Sequence, residues 1–253
     1  MFTDCSSIQG NGFIQMKINM NTNVDSSFDR VVSTLVDKMT FYCEDNWLVI
    51  QQRQNAFDTN FNRTWREYSQ GFGSLRSDFW IGLDIVSKLT QKQPYELLVE
   101  LTDWSNEVFV AKYDNFEVGN EEDFYRLSLS GSYSGNASHD FIEDVYYGLS
   151  SQNGAYFSTF DHRKLKTNAT ANSNEYSISQ AKLNQRNCAL RSGGGWWFSN
   201  FITCLPVNLN GIYVTGASAP SARGIKWQAI RPHDRNYALR KSKMKIKPKY
   251  SAF

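Results

Sequence analysis

The sequence predicts an α+β domain: a central, mostly antiparallel sheet, a few short helices and a loop-rich C-terminal half. Three observations carry that expectation. β-rich runs with short connections crowd residues 95–129, the pattern of sequential antiparallel strands. Helical periodicity occurs only in short segments before them. From about residue 130, Gly, Ser, Asn and Asp become frequent and periodicity disappears.

Taken in order, Gly10-Asn11-Gly12 marks an early turn. Residues 26–38 read as an amphipathic helix, because Phe28, Val31, Val32, Leu35 and Val36 follow helical spacing behind Ser26 or Ser27 as N-cap. Thr40–Tyr42 and Trp47–Gln51 read as short strands joined by the polar turn Glu44-Asp45-Asn46. Asn62–Ser69, ending near Gly71, and Ile85–Leu89 read as helices. Tyr95–Leu101, Val108–Tyr113, Phe116–Val118 and Tyr125–Leu129 read as strands. Residues 162–187 are polar and poor in apolar side chains, so they read as a long exposed loop. Alternate lysines over 241–249 fit the solvent side of an edge strand, where charge blunts aggregation; the other reading is a patch for heparin or an acidic partner.

At 253 residues the chain is one large domain or two small ones, with enough length for a sizeable core. A content of 41% apolar and 21% charged residues excludes wholesale disorder. A net charge of +2 gives no argument for nucleic-acid binding or for a membrane surface. Ser192–Ala222 carries no charge, yet its Gly, Asn, Ser, Thr and Pro residues exclude a transmembrane helix. The start, MFTDCSSIQGNG, has no apolar core segment and is not a signal peptide. Four cysteines without CxxC spacing do not match a structural zinc site; two loop-closing disulfides or free buried thiols both fit. His139, His162 and His233 lie far apart in polar loops, and no GxSxG, HExxH or P-loop pattern is present, so catalysis finds no foothold. Asn62, Asn136 and Asn168 match the N-glycosylation pattern. Asn136 and Asn168 read as loop-borne acceptors, and Asn62 equally as a helix cap.

A set of blocks then resembles the fibrinogen-related domain. They are Trp47-Leu-Val-Ile-Gln-Gln-Arg53, Phe61-Asn-Arg-Thr-Trp65-Arg-Glu-Tyr68-Ser-Gln-Gly71-Phe72-Gly73 and Asp78-Phe79-Trp80-Ile81-Gly82. The likeness continues through Leu97 to Trp104, Ala111 to Phe116 and Tyr125-Arg-Leu. It reappears at Tyr156 to Thr159, Asn187-Cys188-Ala189, Gly194-Gly195-Trp196-Trp197-Phe198, Leu209 to Tyr213, Gly224 to Trp227 and Met244 to Pro248. Together they span nearly the whole chain in the family's order.

The resemblance implies a single domain over 1–253 with the fibrinogen C-terminal-like fold. Its parts would be an N-terminal subregion (1–50), a central sheet subregion (51–130 plus 225–248, the last strand at 243–248 returning to the sheet) and a loop-rich binding subregion (131–224). It implies two disulfides, Cys5–Cys43 and Cys188–Cys204, spanning 38 and 16 residues. It also implies a secreted, extracellular, non-enzymatic recognition domain. One reading is an innate-immune, lectin-like binder of carbohydrate or acetylated ligands. The alternative is a protein ligand or structural module for a cell-surface receptor, as in angiopoietin-like members. The partner is accordingly a glycan or a cell-surface protein, with no nucleic acid and no membrane insertion. Members often gain avidity from a coiled-coil or collagen-like segment absent here, so this is an excised domain or one that oligomerises by other means.

Ligand-binding positions carried over from the family lie beside the second disulfide. They are Cys188 and Ala189 in the turn and Phe198 and Tyr213 as an aromatic wall, with Arg186, Asn187 and Trp197 nearby in sequence; the other reading places Trp196, Trp197, Phe198 and Tyr213 in the core. Trp65, Trp80 and Trp227 fall in framework blocks. The family's calcium loop is rich in Asp and Asn, whereas Phe160-Asp161-His162-Arg163-Lys164-Leu165 keeps only Asp161 and adds two cations; the calcium site is therefore expected to be lost, with no metal and no cofactor. Leu190, Arg191, Leu205 and Ala222 stand where a fibrin-type knob pocket has acids and a His.

Overall fold

The computed structural model describes residues 5, 10–19, 36–54, 59–137, 141–142, 145–146, 148–162, 188–198, 204 and 206–249. In chain order the elements are β1 (Asn11–Asn19), β2 (Val36–Glu44), β3 (Trp47–Arg53), α1 (Trp65–Gln70), β4 (Phe72–Gly73), β5 (Phe79–Trp80), α2 (Leu83–Thr90), β6 (Tyr95–Thr102), β7 (Val108–Val118) and β8 (Leu127–Gly135). The loop-rich part adds β9 (Phe141–Ile142), β10 (Val145–Tyr146), β11 (Val207–Asn208) and β12 (Lys226–Trp227), and β13 (Lys241–Pro248) closes the chain. The main sheet runs β1-β2-β3-β13-β6-β7-β8, with β5 on β3 and β4 on β5; all its pairings are antiparallel. The expected α+β class, with a mostly antiparallel central sheet, is the observed one.

Several elements depart from the sequence expectation. Val36–Lys38, the end of the predicted 26–38 helix, begins strand β2; residues 26–35 lie outside the described ones. The β2–β3 turn is tight because Asp45 and Asn46 both take left-handed φ (48° and 69°), the geometry a two-residue hairpin needs. Helix α1 starts at Trp65 rather than Asn62. Thr64 is its N-cap, accepting from the Glu67 amide while the Glu67 side chain accepts from the Thr64 amide, a capping box. Val108–Tyr113 and Phe116–Val118 are one strand, β7, whose register shifts at a bulge between Tyr113 and Asn115. Tyr125 stands in the turn before β8, at φ 47° beside Phe124 at 54°.

Strand β13 corrects the reading of the lysine run. It lies in the middle of the sheet, between β3 and β6, and is no edge. Its inward residues Met244 and Ile246 are fully buried. On the other face Lys243 pairs with Glu44, Lys245 with Glu100, and the Lys247 ammonium stands 5.8 Å from the Trp47 ring. Lys243 and Lys245 are thus neutralised by neighbouring strands.

The core lies between the sheet, the two helices and the loop-rich part. β6 buries Tyr95, Leu97, Val99 and Leu101 in strict alternation. β3 is buried on both faces because the 209–211 loop covers it. Gln51 Nε2 donates to the Leu209 carbonyl (3.1 Å), and an Arg53 guanidinium N–H to the Gly211 carbonyl (2.7 Å). Arg53 also pairs with buried Asp78 (3.3 Å) and lies 4.0 Å from the Phe61 ring. Burial lowers the Arg53 pKa, and Asp78 opposes that shift. The helices are locked to the 120–125 turn by one carboxylate. Asp84 accepts from Ser69 Oγ (2.9 Å) and Tyr125 OH (2.5 Å). Both disulfides, Cys5–Cys43 and Cys188–Cys204, are formed.

Candidate functional site

Residues 188–192 form one helical turn, which the sequence did not signal. It begins at Cys188, is tied to Cys204 by the disulfide, and closes with Gly193 N–H donating to the Ala189 carbonyl (3.0 Å). Behind it the chain must pass very close to its neighbours. A Cβ on Gly194 would stand 2.1 Å from the Asn210 carbonyl oxygen, and one on Gly195 2.7 Å from the Tyr68 ring, so only glycine fits either place. The Tyr68 hydroxyl accepts from Gly195 N–H (3.0 Å) and donates to the Phe61 carbonyl (2.7 Å).

That close approach sends the aromatic pair after the glycines inward. Trp196, Trp197 and Phe198 are all fully buried. Trp196 donates to Gln152 Oε1 (2.8 Å) and Trp197 to the Tyr125 carbonyl (2.7 Å), while the Trp197 ring packs on Trp80 and Phe157. Cys188 and Ala189 are also buried. The rings of Trp197 and Phe198 thus belong to the core instead of forming an open wall. Arg186 and Asn187 lie outside the described residues, as does Asn168. Of the nominated residues, Tyr213 is the one described that keeps a half-exposed ring. Burial raises its pKa.

What the surface offers beside Cys188 is different from a ring-lined slot. Leu190 (50% exposed) stands on the helical turn, and Ile212 (36% exposed) packs over Gly193, its side chain 2.7 Å from where a Cβ would be. Arg191 and Arg223 are exposed around them. Tyr213 sits above Arg53 (6.0 Å) and edge-on to Trp104 (6.4 Å). Trp104 was missed as a site residue, although an aromatic ring in the polar turn Asp103-Trp104-Ser105-Asn106 is a usable signal. Its indole N–H is buried and has no hydrogen-bond partner among the described residues. Asp103 organises this turn. It accepts from the Ser105 and Glu107 amides (2.8 and 2.9 Å) and from Tyr237 OH (3.1 Å), and these bonds outweigh burial and lower its pKa.

Asp161 has a use other than calcium. Its Oδ1 accepts from the Trp65 amide at the start of α1 (3.0 Å) and from Thr159 Oγ1 (2.8 Å). Next to it, His162 stacks on the Trp65 ring (3.8 Å between centroids). Calcium takes six to eight oxygens; Asn172, Asn174 and Glu175, the alternative ligands that the insertion offers, lie outside the described residues. Among the described residues no group of three His, Cys, Asp or Glu side chains is arranged to hold a metal ion. Asn136 is exposed, with Oδ1 accepting from the Val110 amide (2.7 Å) and Nδ2 donating to the Val108 carbonyl (3.3 Å).

Sheet, disulfides and loop-borne surface define a two-disulfide domain with its candidate binding face at one end of a central antiparallel sheet. Residues 3–249 match the family described as fibrinogen beta and gamma chains, C-terminal globular domain, and the chain belongs to that family. It is 38% identical to the human fibrinogen alpha chain, over 82% of this chain and 23% of that one. It is 32% identical to bovine angiopoietin-4, over 98% of this chain and 43% of the relative. With mouse angiopoietin-related protein 7 it shares 36% identity, over 80% and 51%. The chain thus spans from about a quarter to half the length of these relatives. Among solved structures, the fibrinogen-like globe domain of human ANGPTL6 superposes with a TM-score of 0.72 at 29% identity, covering 99% of this chain and 97% of that one. A lamprey fibrin D-dimer complexed with the peptide Gly-His-Arg-Pro-amide superposes at 0.70 and 27% identity, covering 99% and 74%.

Proposed function

We propose that this domain is an extracellular, non-enzymatic recognition module that binds a cell-surface protein through the face formed by Leu190, Ile212, Tyr213 and Trp104. One observation carries the reading. Phe198, nominated for the wall of a small acetyl-binding slot, and neighbouring Trp197 are spent in the core, whereas two large aliphatic side chains beside the second disulfide are exposed. Aliphatic and aromatic anchors rimmed by arginines suit a protein surface, where buried anchors supply most of the binding energy. The likeness to angiopoietins and angiopoietin-related proteins supports this choice over carbohydrate binding.

Binding of labelled protein to intact cells, alongside a glycan array with and without chelator, tests the proposal. Saturable cell binding that drops at least tenfold in a Leu190→Asp/Ile212→Asp variant, with a blank array, is expected. Chelator-insensitive binding to acetylated sugars, with cell binding untouched by that variant, would move the function to the Cys188–Ala189 turn and a carbohydrate ligand.

A further inference from the structure

Residues 223–241 hold six cations, Arg223, Lys226, Arg231, Arg235, Arg240 and Lys241, against the single acid Asp234, in a chain whose net charge is only +2. The fold sorts the C-terminal cations into two sets. Lysines 243 and 245 of β13 are paired with acids, and Lys226 is buried. Arg231, Arg235 and Lys241 are exposed and Arg240 is half-buried.

The exposed set is held on a built strap. Gln228 Nε2 lies under residues 231–235 and donates to the carbonyls of Arg231 (2.9 Å), Pro232 (2.8 Å) and Asp234 (3.3 Å). Lys226 Nζ donates to the Arg235 carbonyl. Four carbonyls turned inward leave the side chains of Arg231, His233, Asp234 and Arg235 exposed. Two guanidinium groups are further fixed. Arg231 lies 5.4 Å from the Tyr237 ring and 4.0 Å from Asp103. Arg240 lies 5.9 Å from the Trp104 ring and donates to Asn106 Oδ1. Guanidinium heads already ordered lose less entropy on binding, and their planar N–H forks match two oxygens of a sulfate or carboxylate.

We propose that this strap, with Arg231, Arg235, Arg240 and Lys241, is a binding surface for a sulfated polysaccharide, which adjoins the protein-binding face where Arg240 meets Trp104 but does not include Leu190 and Ile212. A polysaccharide fits better than an acidic protein because the exposed large apolar residues of the described chain are Phe13, Val108, Leu190 and Ile212, and none lies on the strap. A protein interface needs a desolvated apolar centre, whereas a sulfated chain needs charge and N–H donors.

Heparin affinity, measured over a salt series, tests this. The whole chain should be retained on immobilised heparin at 150 mM NaCl, about physiological ionic strength. Arg231→Gln/Arg235→Gln/Arg240→Gln should weaken binding at least tenfold, and the slope of log affinity against log salt should fall by about one for each arginine removed. Arg235→Gln alone, at a guanidinium with no hydrogen bond or ring contact among the described residues, should weaken binding without lowering the melting temperature. Lys243→Gln, at a lysine paired with Glu44, should leave retention unchanged. Elution below 150 mM, equal loss from the strand and strap variants, or equal binding to desulfated heparin or polyglutamate would each overturn the proposal. The apolar variant Leu190→Asp/Ile212→Asp should keep heparin binding, so the two surfaces can fail separately.

Discussion

Replacing Lys226 with methionine should alter how stability depends on pH more than it alters stability at neutral pH. The Lys226 ammonium is almost wholly buried and rests on the Arg235 carbonyl, with no carboxylate of the described residues in contact. Burial pulls its pKa down from 10.5 to about 8, against a weaker pull from Asp234. Between those values the unfolded chain holds a proton that the folded chain has released. Unfolding then takes up protons, so stability rises with pH through this window. The contribution is present above the unfolded value and lost as pH falls through the folded one. A difference of about 2.5 at 1.36 kcal/mol each gives roughly 3 kcal/mol at most. Below pH 8 both states are protonated and the burial cost is constant. There the methionine variant loses that cost but leaves the Arg235 carbonyl unpaired, worth about 1–3 kcal/mol in the other direction. Urea unfolding of both proteins at 25 °C, from pH 6.5 to 10.5, isolates the effect, because subtracting the variant removes every other titrating group. Those include Tyr237, which burial and Asp103 push up to about 12. The wild type should gain roughly 3 kcal/mol on the variant across the range. A difference flat to within about 0.5 kcal/mol would refute the burial argument.

Three further outcomes follow from the same kind of reasoning. Arg53→Met leaves fully buried Asp78 without its cation and should cost about 3–5 kcal/mol by urea unfolding; a loss below 1 kcal/mol would mean that Asp78 finds another partner. Asp161→Ala orphans the Trp65 amide and Thr159 hydroxyl and should cost about 1–2 kcal/mol, and millimolar calcium should shift the melting temperature of neither protein; an upward shift in the wild type would restore the calcium site. Removing the 16-residue bridge with Cys188→Ala/Cys204→Ala should cost about 3 kcal/mol, seen as a melting temperature lower by about 10 °C, and an unchanged melting curve would show that the loop is closed by packing instead.

The strands of the sheet were legible because each carries its own period. Tyr95, Leu97, Val99 and Leu101 face the core in alternation, and this pattern survives any choice of neighbours. The boundaries were less so, since they depend on backbone chemistry that periodicity ignores: the capping box moves the start of α1 to Trp65, and the bulge at Tyr113–Asn115 hides the continuity of β7. At the site, family likeness located the right neighbourhood but not the right faces. Trp197 and Phe198 lie beside Cys188 in sequence, yet the glycines before them admit the Tyr68 ring and turn both aromatics inward. Trp104 reaches Tyr213 across 109 positions, a proximity that no local pattern encodes.

The lysine run shows why alternation alone misplaced a strand. Every other residue of β13 is a lysine, and an edge strand with one wet face would look the same. What distinguishes a central position is the charge of its neighbours. Glu44 on β2 and Glu100 on β6 supply the acids that let Lys243 and Lys245 sit within the sheet. Arg235, on the strap, and Lys241, the first residue of β13, make no ion pair among the described residues. Lys243 and Lys245 are answered by the strands beside them, while Arg235, on an irregular strap whose carbonyls are already gathered inward, and Lys241, at the start of β13, remain available to an external anion. The division between sheet and strap, more than the total of basic residues, therefore decides where this domain can meet a polyanion.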